Sequence, residues 1–389
     1  MSASNWLLRF GIVLGALSLL AVLVDLGLPS YRDPPLDFHK MKPGEYFNSD
    51  GLTRRQEGSL KLGFAEAREA PLIGAYGNHI IQFWGAESFG APEQAELFFN
   101  YSYANVSLPE LLRYLRRIEA RGNLPSRLMI ISITPPNGDN GRFIIDRGNE
   151  LPPDILVSDA LQQPNAESLI DAFGSAGQTS LHEIFNYNTL VLGLSQGVAR
   201  ERFGGPAICA GAPLKAHWFD RLPSWRLRSA LAVFAPADPC AAGERGWAWT
   251  MRRDGSIVPP SRTRPVLDQE ALTESDRGLR AGDERAIADY LRAIDAIGRR
   301  HGVSVVFLVT PIFESDRSAS VVDQVFDRAL ALAPELTVID DREINKDPAL
   351  FVDYLHPGPA YFRRVAAELA RRGLLPSTRW RMGWDSNPR

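Results

Sequence analysis

The sequence predicts an α/β protein built on a doubly wound parallel sheet with an insertion, preceded by one N-terminal transmembrane helix. Three observations predict it. Short apolar runs ending in turn residues alternate with amphipathic helical stretches in residues 71–134 and again in 286–373. The middle, 143–285, breaks that alternation with a Pro/Gly/Trp-rich stretch. The chain opens on an apolar segment long enough to cross a bilayer.

That opening segment, residues 6–28, carries only Arg9 and Asp25, both near its ends. About 20 residues span the hydrocarbon core as a helix, and end charges can snorkel. ALSLLAVLVDLGLPSYRD offers no small-x-small cleavage site, so the segment reads as an uncleaved signal anchor, with a cleaved signal peptide as the alternative. The N-terminal amine and Arg9 favour a cytoplasmic N-terminus, although Arg32, Lys40 and Lys42 on the far side weaken the contrast. The expected placement is a single-pass protein of a bacterial inner membrane whose C-terminal domain is exported to the periplasm. The expected partner is therefore the membrane, through this one anchor.

Residues 29–57 are rich in proline and polar side chains and read as a linker. The α/β domain follows over 58–376. GSLKLGFAEAREAP (58–71) predicts a short helix, and PLIGAYGNHIIQFWG (71–85) a short strand that turns helical from His79. AELFFNYSY (95–103) is a second strand. In the helix 107–121, Leu108, Leu111, Leu112, Leu115 and Ile118 recur at helical spacing, with Ser107 as N-cap and Pro109 and Glu110 in the first turn. SRLMIISIT (126–134) is a third strand, closed by Pro135-Pro136-Asn137-Gly138.

The later half repeats the pattern. The helix 286–302 stops at Gly302 and feeds the strand VSVVFLVT; 323–334 leads to LTVID (336–340), and 359–373 is the closing helix. The tail 377–389 has no periodic pattern and is expected to be disordered. With 45% hydrophobic residues the chain can bury a substantial core, and its net charge of −3 gives no electrostatic case for nucleic acid. Cys209 and Cys240 could form one disulfide, worth roughly 3–4 kcal/mol by loop entropy, or stay as two buried thiols. Without a C-x-x-C or a His/Cys cluster, no metal or other cofactor is expected.

The chemistry concentrates near the end, in Asp353-Tyr354-Leu355-His356 followed by Pro-Gly-Pro. Three residues apart in a turn, the carboxylate can fix the tautomer and orientation of the imidazole, which is the base-and-orienter half of a nucleophilic site. Placed late in an α/β chain, between a strand with a Thr-Pro turn and a C-terminal helix, this D-x-x-H resembles the last sequence block of the SGNH (GDSL-type) hydrolases. The resemblance covers about half the chain, roughly 71–140 and 286–375. It implies a flavodoxin-like three-layer fold in which four blocks converge at the carboxyl ends of adjacent strands. It further implies ester hydrolysis or O-acyl transfer on a cell-envelope glycan or lipid, with His356 as general base, Asp353 as its orienter, and backbone amides with Asn137 as oxyanion donors.

The first block departs from the family. Gly74-Ala75-Tyr76-Gly77-Asn78-His79 stands where G-D-S-H would. Aligning the histidine puts Asn78 at the nucleophile; aligning the first glycine puts Tyr76 there. Neither is a hydroxyl or thiol of ordinary reactivity. A catalytically degraded binding or assembly domain is thus the alternative function. His79 either lines the cleft or begins a surface helix. Asn105, after the second strand, either donates to an oxyanion or satisfies its own turn. A competing nucleophile is Ser195 in Gly193-Leu194-Ser195-Gln196-Gly197, which matches the G-x-S-x-G elbow of α/β-hydrolases and follows the strand-like TLVLG.

Overall fold

In a computed structural model of the protein, the described residues are 9, 11–13, 15–16, 41–42, 44–48, 54–67, 69–92, 94–103, 106–133, 145, 208–210, 250–259, 282–313, 321–353 and 355–375. Their elements in chain order are β1 (Glu45–Asn48), α1 (Arg54–Ala67), β2 (Ile73–Tyr76), β3 (Phe98–Asn100), α2 (Leu108–Ala120), β4 (Leu128–Ser132), β5 (Ile208–Ala210), β6 (Thr250–Arg252), α3 (Asp283–Arg300), β7 (Ser304–Val309), α4 (Val321–Leu332), β8 (Val338–Asp340) and α5 (Pro359–Arg371). The chain separates into two compact units. One comprises Met1–Met41, Glu45–Leu60 and Asn149–Thr250; the other Lys42–Gly44, Lys61–Gly148 and Met251–Arg389.

In the first unit β1 pairs antiparallel with β5, Tyr46 opposite Cys209. Both strands fall in segments where the sequence predicted a linker and an insertion. Among the described residues no helix is long and apolar enough to cross a membrane. The segment 6–28 lies mostly outside them; of it, residues 9, 11–13 and 15–16 are described and helical. The expected transmembrane anchor therefore has no support in the described structure. Cys240, the tail 377–389 and most of 143–285 also lie outside the described residues.

The second unit holds a five-stranded sheet in the order β3-β2-β4-β7-β8, every neighbouring pair parallel. Counted along the chain within this sheet, the order is 2-1-3-4-5, which reverses direction between β2 and β4. The predicted parallel α/β sheet is thus present. Its central strands read as continuous apolar runs because both faces are covered: all of β4 is buried, and all of β7 after Ser304. Each fully buried Leu or Ile there contributes about 1.5–3 kcal/mol.

Right-handed crossovers sort the helices. The connections β3→β4, β4→β7 and β7→β8 all move the same way across the sheet, so their helices belong on one face. Accordingly α3 packs against both α2 and α4. The β2→β3 connection moves the opposite way, and α5 packs on its 3-10 turn Ala86–Phe89, with Phe362 stacked on Trp84 at 4.9 Å. α2 opens with a full capping box, the Ser107 hydroxyl accepting from Glu110 N and the Glu110 carboxylate accepting from Ser107 N. The helix expected from His79 is instead a single 3-10 turn, His79–Ile81. Asn100 holds that segment to the end of β3 by side-chain hydrogen bonds.

Candidate functional site

The strand order reverses between β2 and β4, and the carboxyl ends of such strands are where open α/β sheets place their sites. The chain leaves β2 through Gly77, whose φ of +145° is closed to most L side chains, and a Cβ there would lie 2.7 Å from the Ser132 Cβ at the end of β4. Glycine is needed for both reasons. Asn78 follows in extended backbone and caps the 3-10 turn, its Oδ1 accepting from Ile80 N at 3.1 Å. His79 begins that turn.

From the other end of the chain, a tight loop delivers Asp353 and His356. It follows the 3-10 turn Pro348–Leu350, and it is closed by a bridge between Phe351 and Pro357 and by hydrogen bonds from Val352 N to His356 O and from Gly358 N to Leu350 O. Asp353 Oδ1 accepts from Leu355 N (2.8 Å), from His356 N (2.9 Å) and from the ring, with Nδ1 2.9 Å from Oδ1 and 3.0 Å from Oδ2. An Nδ1–H donated to that carboxylate leaves Nε2 as the basic nitrogen. The His356 ring lies 5.1 Å from the His79 ring, centroid to centroid and tilted by 56°, and 5.6 Å from Phe83 in an edge contact. His356 is 1% exposed and Asp353 7%, whereas His79 is half-buried. Of the two rings, His79 is the more exposed.

Of the residues expected at the site, the structure brings together Asp353, His356 and His79, with Asn78 adjacent in sequence. Tyr76 goes elsewhere. Its ring lies over Gly74, stacks on Tyr101 at 4.8 Å, and is wholly buried. Burial, with Tyr101 and Tyr114 nearby, holds its phenol well above the usual tyrosine range. A nucleophilic phenolate is disfavoured there, so the register that puts Tyr76 at the nucleophile has a packing residue in that place. Asn105, Asn137 and Ser195 lie outside the described residues.

Two features have roles that the sequence does not assign, although Asn100 follows the second strand beside Asn105 and Ser107. Asn100, buried at the end of β3, donates from Nδ2 to Ile81 O (2.8 Å) and Trp84 O (2.9 Å), while its Oδ1 accepts from Ser102 N and Oγ. It thereby fixes the stretch carrying His79 and Phe83. The second is the turn Asp254-Gly255-Ser256. Asp254 accepts from Ala86 N, Ser256 N and Ser256 Oγ, and Ile257 N donates to Gln82 O. Burial raises the Asp254 carboxyl above its ordinary range, with the hydrogen bonds from Ser256 and Ala86 opposing. Asp-Gly between MRR and SIV is a hairpin signal, but nothing in the sequence tells which segment such a turn will brace.

The fold and site together define a parallel α/β domain carrying a buried Asp–His pair at its topological switch point. No protein-family model matches the chain, and no curated protein matches it. Among the described residues no group of His, Cys, Asp and Glu could hold a metal ion.

Proposed function

We propose that the protein is an SGNH-like domain of the ester hydrolase or O-acyltransferase class, acting on an acylated glycan or lipid of the cell envelope. The observation that carries this reading is the Asp353–His356 pair, 2.9 Å apart in a rigid loop beside the residues that follow the first strand of the sheet. Asp353 orients the ring, and Nε2 of His356 takes a proton from an attacking hydroxyl, either water or a hydroxyl of the acceptor. That hydroxyl adds to the acyl carbonyl, a C–O bond to the acyl group forms, and the departing alkoxide leaves as the alcohol once reprotonated. Asn78 occupies the family's nucleophile position with its amide engaged in a cap. The acyl group therefore passes in a single displacement, with no covalent acyl-enzyme at that position.

The membrane anchor and periplasmic placement belong to the same reading. Their support is the sequence of the apolar stretch 6–28, whose only charges, Arg9 and Asp25, lie near its ends. A second reading, a binding or assembly domain without turnover, is favoured by the same Asn78.

Intact-protein mass spectrometry after reaction with an excess of an acetyl ester, and after a serine-directed phosphonate, tests the proposed course. Ester consumption with no acetyl adduct and no phosphonate adduct is expected. An adduct on Ser195 would replace the reading by an α/β-hydrolase mechanism, and binding of an acylated glycan without consumption would leave the binding domain.

A further inference from the structure

We infer that His79 is the general acid of the reaction, so that acid and base are two separate imidazoles. The inference rests on the reading of His356 as general base. Attacking and leaving oxygens are bonded to one carbonyl carbon, so groups that serve both must lie within a few ångströms of each other. The rings of His79 and His356 meet that condition at 5.1 Å between centroids. Their settings divide the roles. His356 has Nδ1 committed to Asp353 and is 1% exposed, which suits the partner that receives a proton from a hydroxyl held inside. His79 is half-buried and so less enclosed than His356, which suits the group that hands a proton to a departing alcohol.

The surroundings hold both rings in place. Gly77 delivers the chain out of β2, Asn78 caps the turn, and Asn100 ties Ile81 and Trp84 to the end of β3, so His79 is carried on a braced turn. Phe83, from the same braced stretch, packs its edge on the His356 ring. Asp353 accepts from the His356 ring within its own loop.

The step balances as follows. Neutral His356 accepts the proton of the attacking hydroxyl as its oxygen bonds to the acyl carbon. The imidazolium of His79 gives its proton to the alkoxide as the old C–O bond breaks. One acyl group has moved from one oxygen to another. The enzyme then holds its proton on His356 instead of His79, and exchange with solvent resets it. The chemistry is substrate-selective: an alkyl or sugar ester expels a basic alkoxide and needs the acid, whereas a nitrophenyl ester expels a stable anion and needs it little.

The experiment measures turnover of ethyl acetate and of nitrophenyl acetate by the full-length protein, His79→Gln and His356→Ala. Loss of a general acid costs about 10²–10⁴-fold, so His79→Gln should lower ethyl acetate turnover by that order and nitrophenyl acetate turnover much less, collapsing the ratio of the two. His356→Ala should lower both alike and leave the ratio where it was. If His79→Gln lowers both esters equally, or neither, the assignment of His79 is overturned while His356-dependent turnover still stands. If His356→Ala has no effect on either ester, the base reading falls and takes the acid with it.

Discussion

Asp353 holds His356 through three hydrogen bonds to a single carboxylate oxygen, one from the ring and two from the backbone of the same loop. The carboxylate therefore sets both the shape of the loop and the orientation of the imidazole it carries. Asp353→Asn keeps one acceptor oxygen but can present an N–H where the ring nitrogen donates, favouring the other tautomer. His356-dependent turnover should fall by about 10²–10⁴-fold. Nitrogen-15 NMR of the labelled ring should show the proton moving from Nδ1 to Nε2. A ring signal that does not change would show that Asp353 does not set the tautomer.

Asn100 joins the stretch Ile81–Trp84 to the end of β3 through one carboxamide. Asn100→Ala leaves the carbonyls of Ile81 and Trp84 without their donor, at a cost of about 1–3 kcal/mol for a buried polar group left unmade. Chemical denaturation should show a loss of about 3 kcal/mol in total. The proton signals of His79 and His356 should broaden as the turn loosens. An unchanged denaturation midpoint would mean that the turn is held by something else.

Gly77 is required by its φ of +145° and by the approach of Ser132. Gly77→Ala adds backbone strain and a Cβ contact at 2.7 Å to atoms that cannot swing away. The expected destabilisation is about 3 kcal/mol. Gly90→Ala is the control: it has a positive φ too, but no atom within 4 Å of the added Cβ, and should cost about 1 kcal/mol. Equal losses in the two variants would show that the Ser132 contact carries no weight.

Much of this was legible from the residues, and the reasons are particular. The runs SRLMIISIT and VSVVFLVT became β4 and β7 because a strand buried on both faces must be apolar throughout, whatever its neighbours. Ser107 and Glu110 announced the start of α2 because their hydrogen bonds are local. D-x-x-H was readable because a three-residue turn is enough to join its two side chains. The stretch after Gly77 misled, since its helical character from His79 ends in a single 3-10 turn held by Asn100, 19 residues from Ile81. The Asp254 turn shows in the sequence as Asp-Gly, but its bracing of Ala86, 168 residues away, leaves no local trace.

Asp254 also makes a pH prediction. Its carboxyl is buried and its pKa raised by that burial, so the folded protein binds this proton more tightly than the unfolded chain, whose value is about 3.9. The resulting stabilisation is fully present below the unfolded pKa and is lost as the pH rises through the folded one. Asp254→Asn removes that dependence. The stability of the wild type relative to the variant should fall as the pH rises from about 4 through the folded pKa. Urea unfolding of both proteins across that range checks it, and a difference independent of pH would show that Asp254 titrates alike in both states.

The most direct test of the account is acetyl ester turnover by His356→Ala beside the wild type, both purified as the full chain. A base positioned by Asp353 should be worth about 10²–10⁴-fold in kcat/KM, so the variant should fall by that factor while still unfolding in one cooperative transition above the assay temperature. Wild-type turnover that survives the loss of His356 unchanged would contradict the central claim, whatever residue proved to carry the reaction.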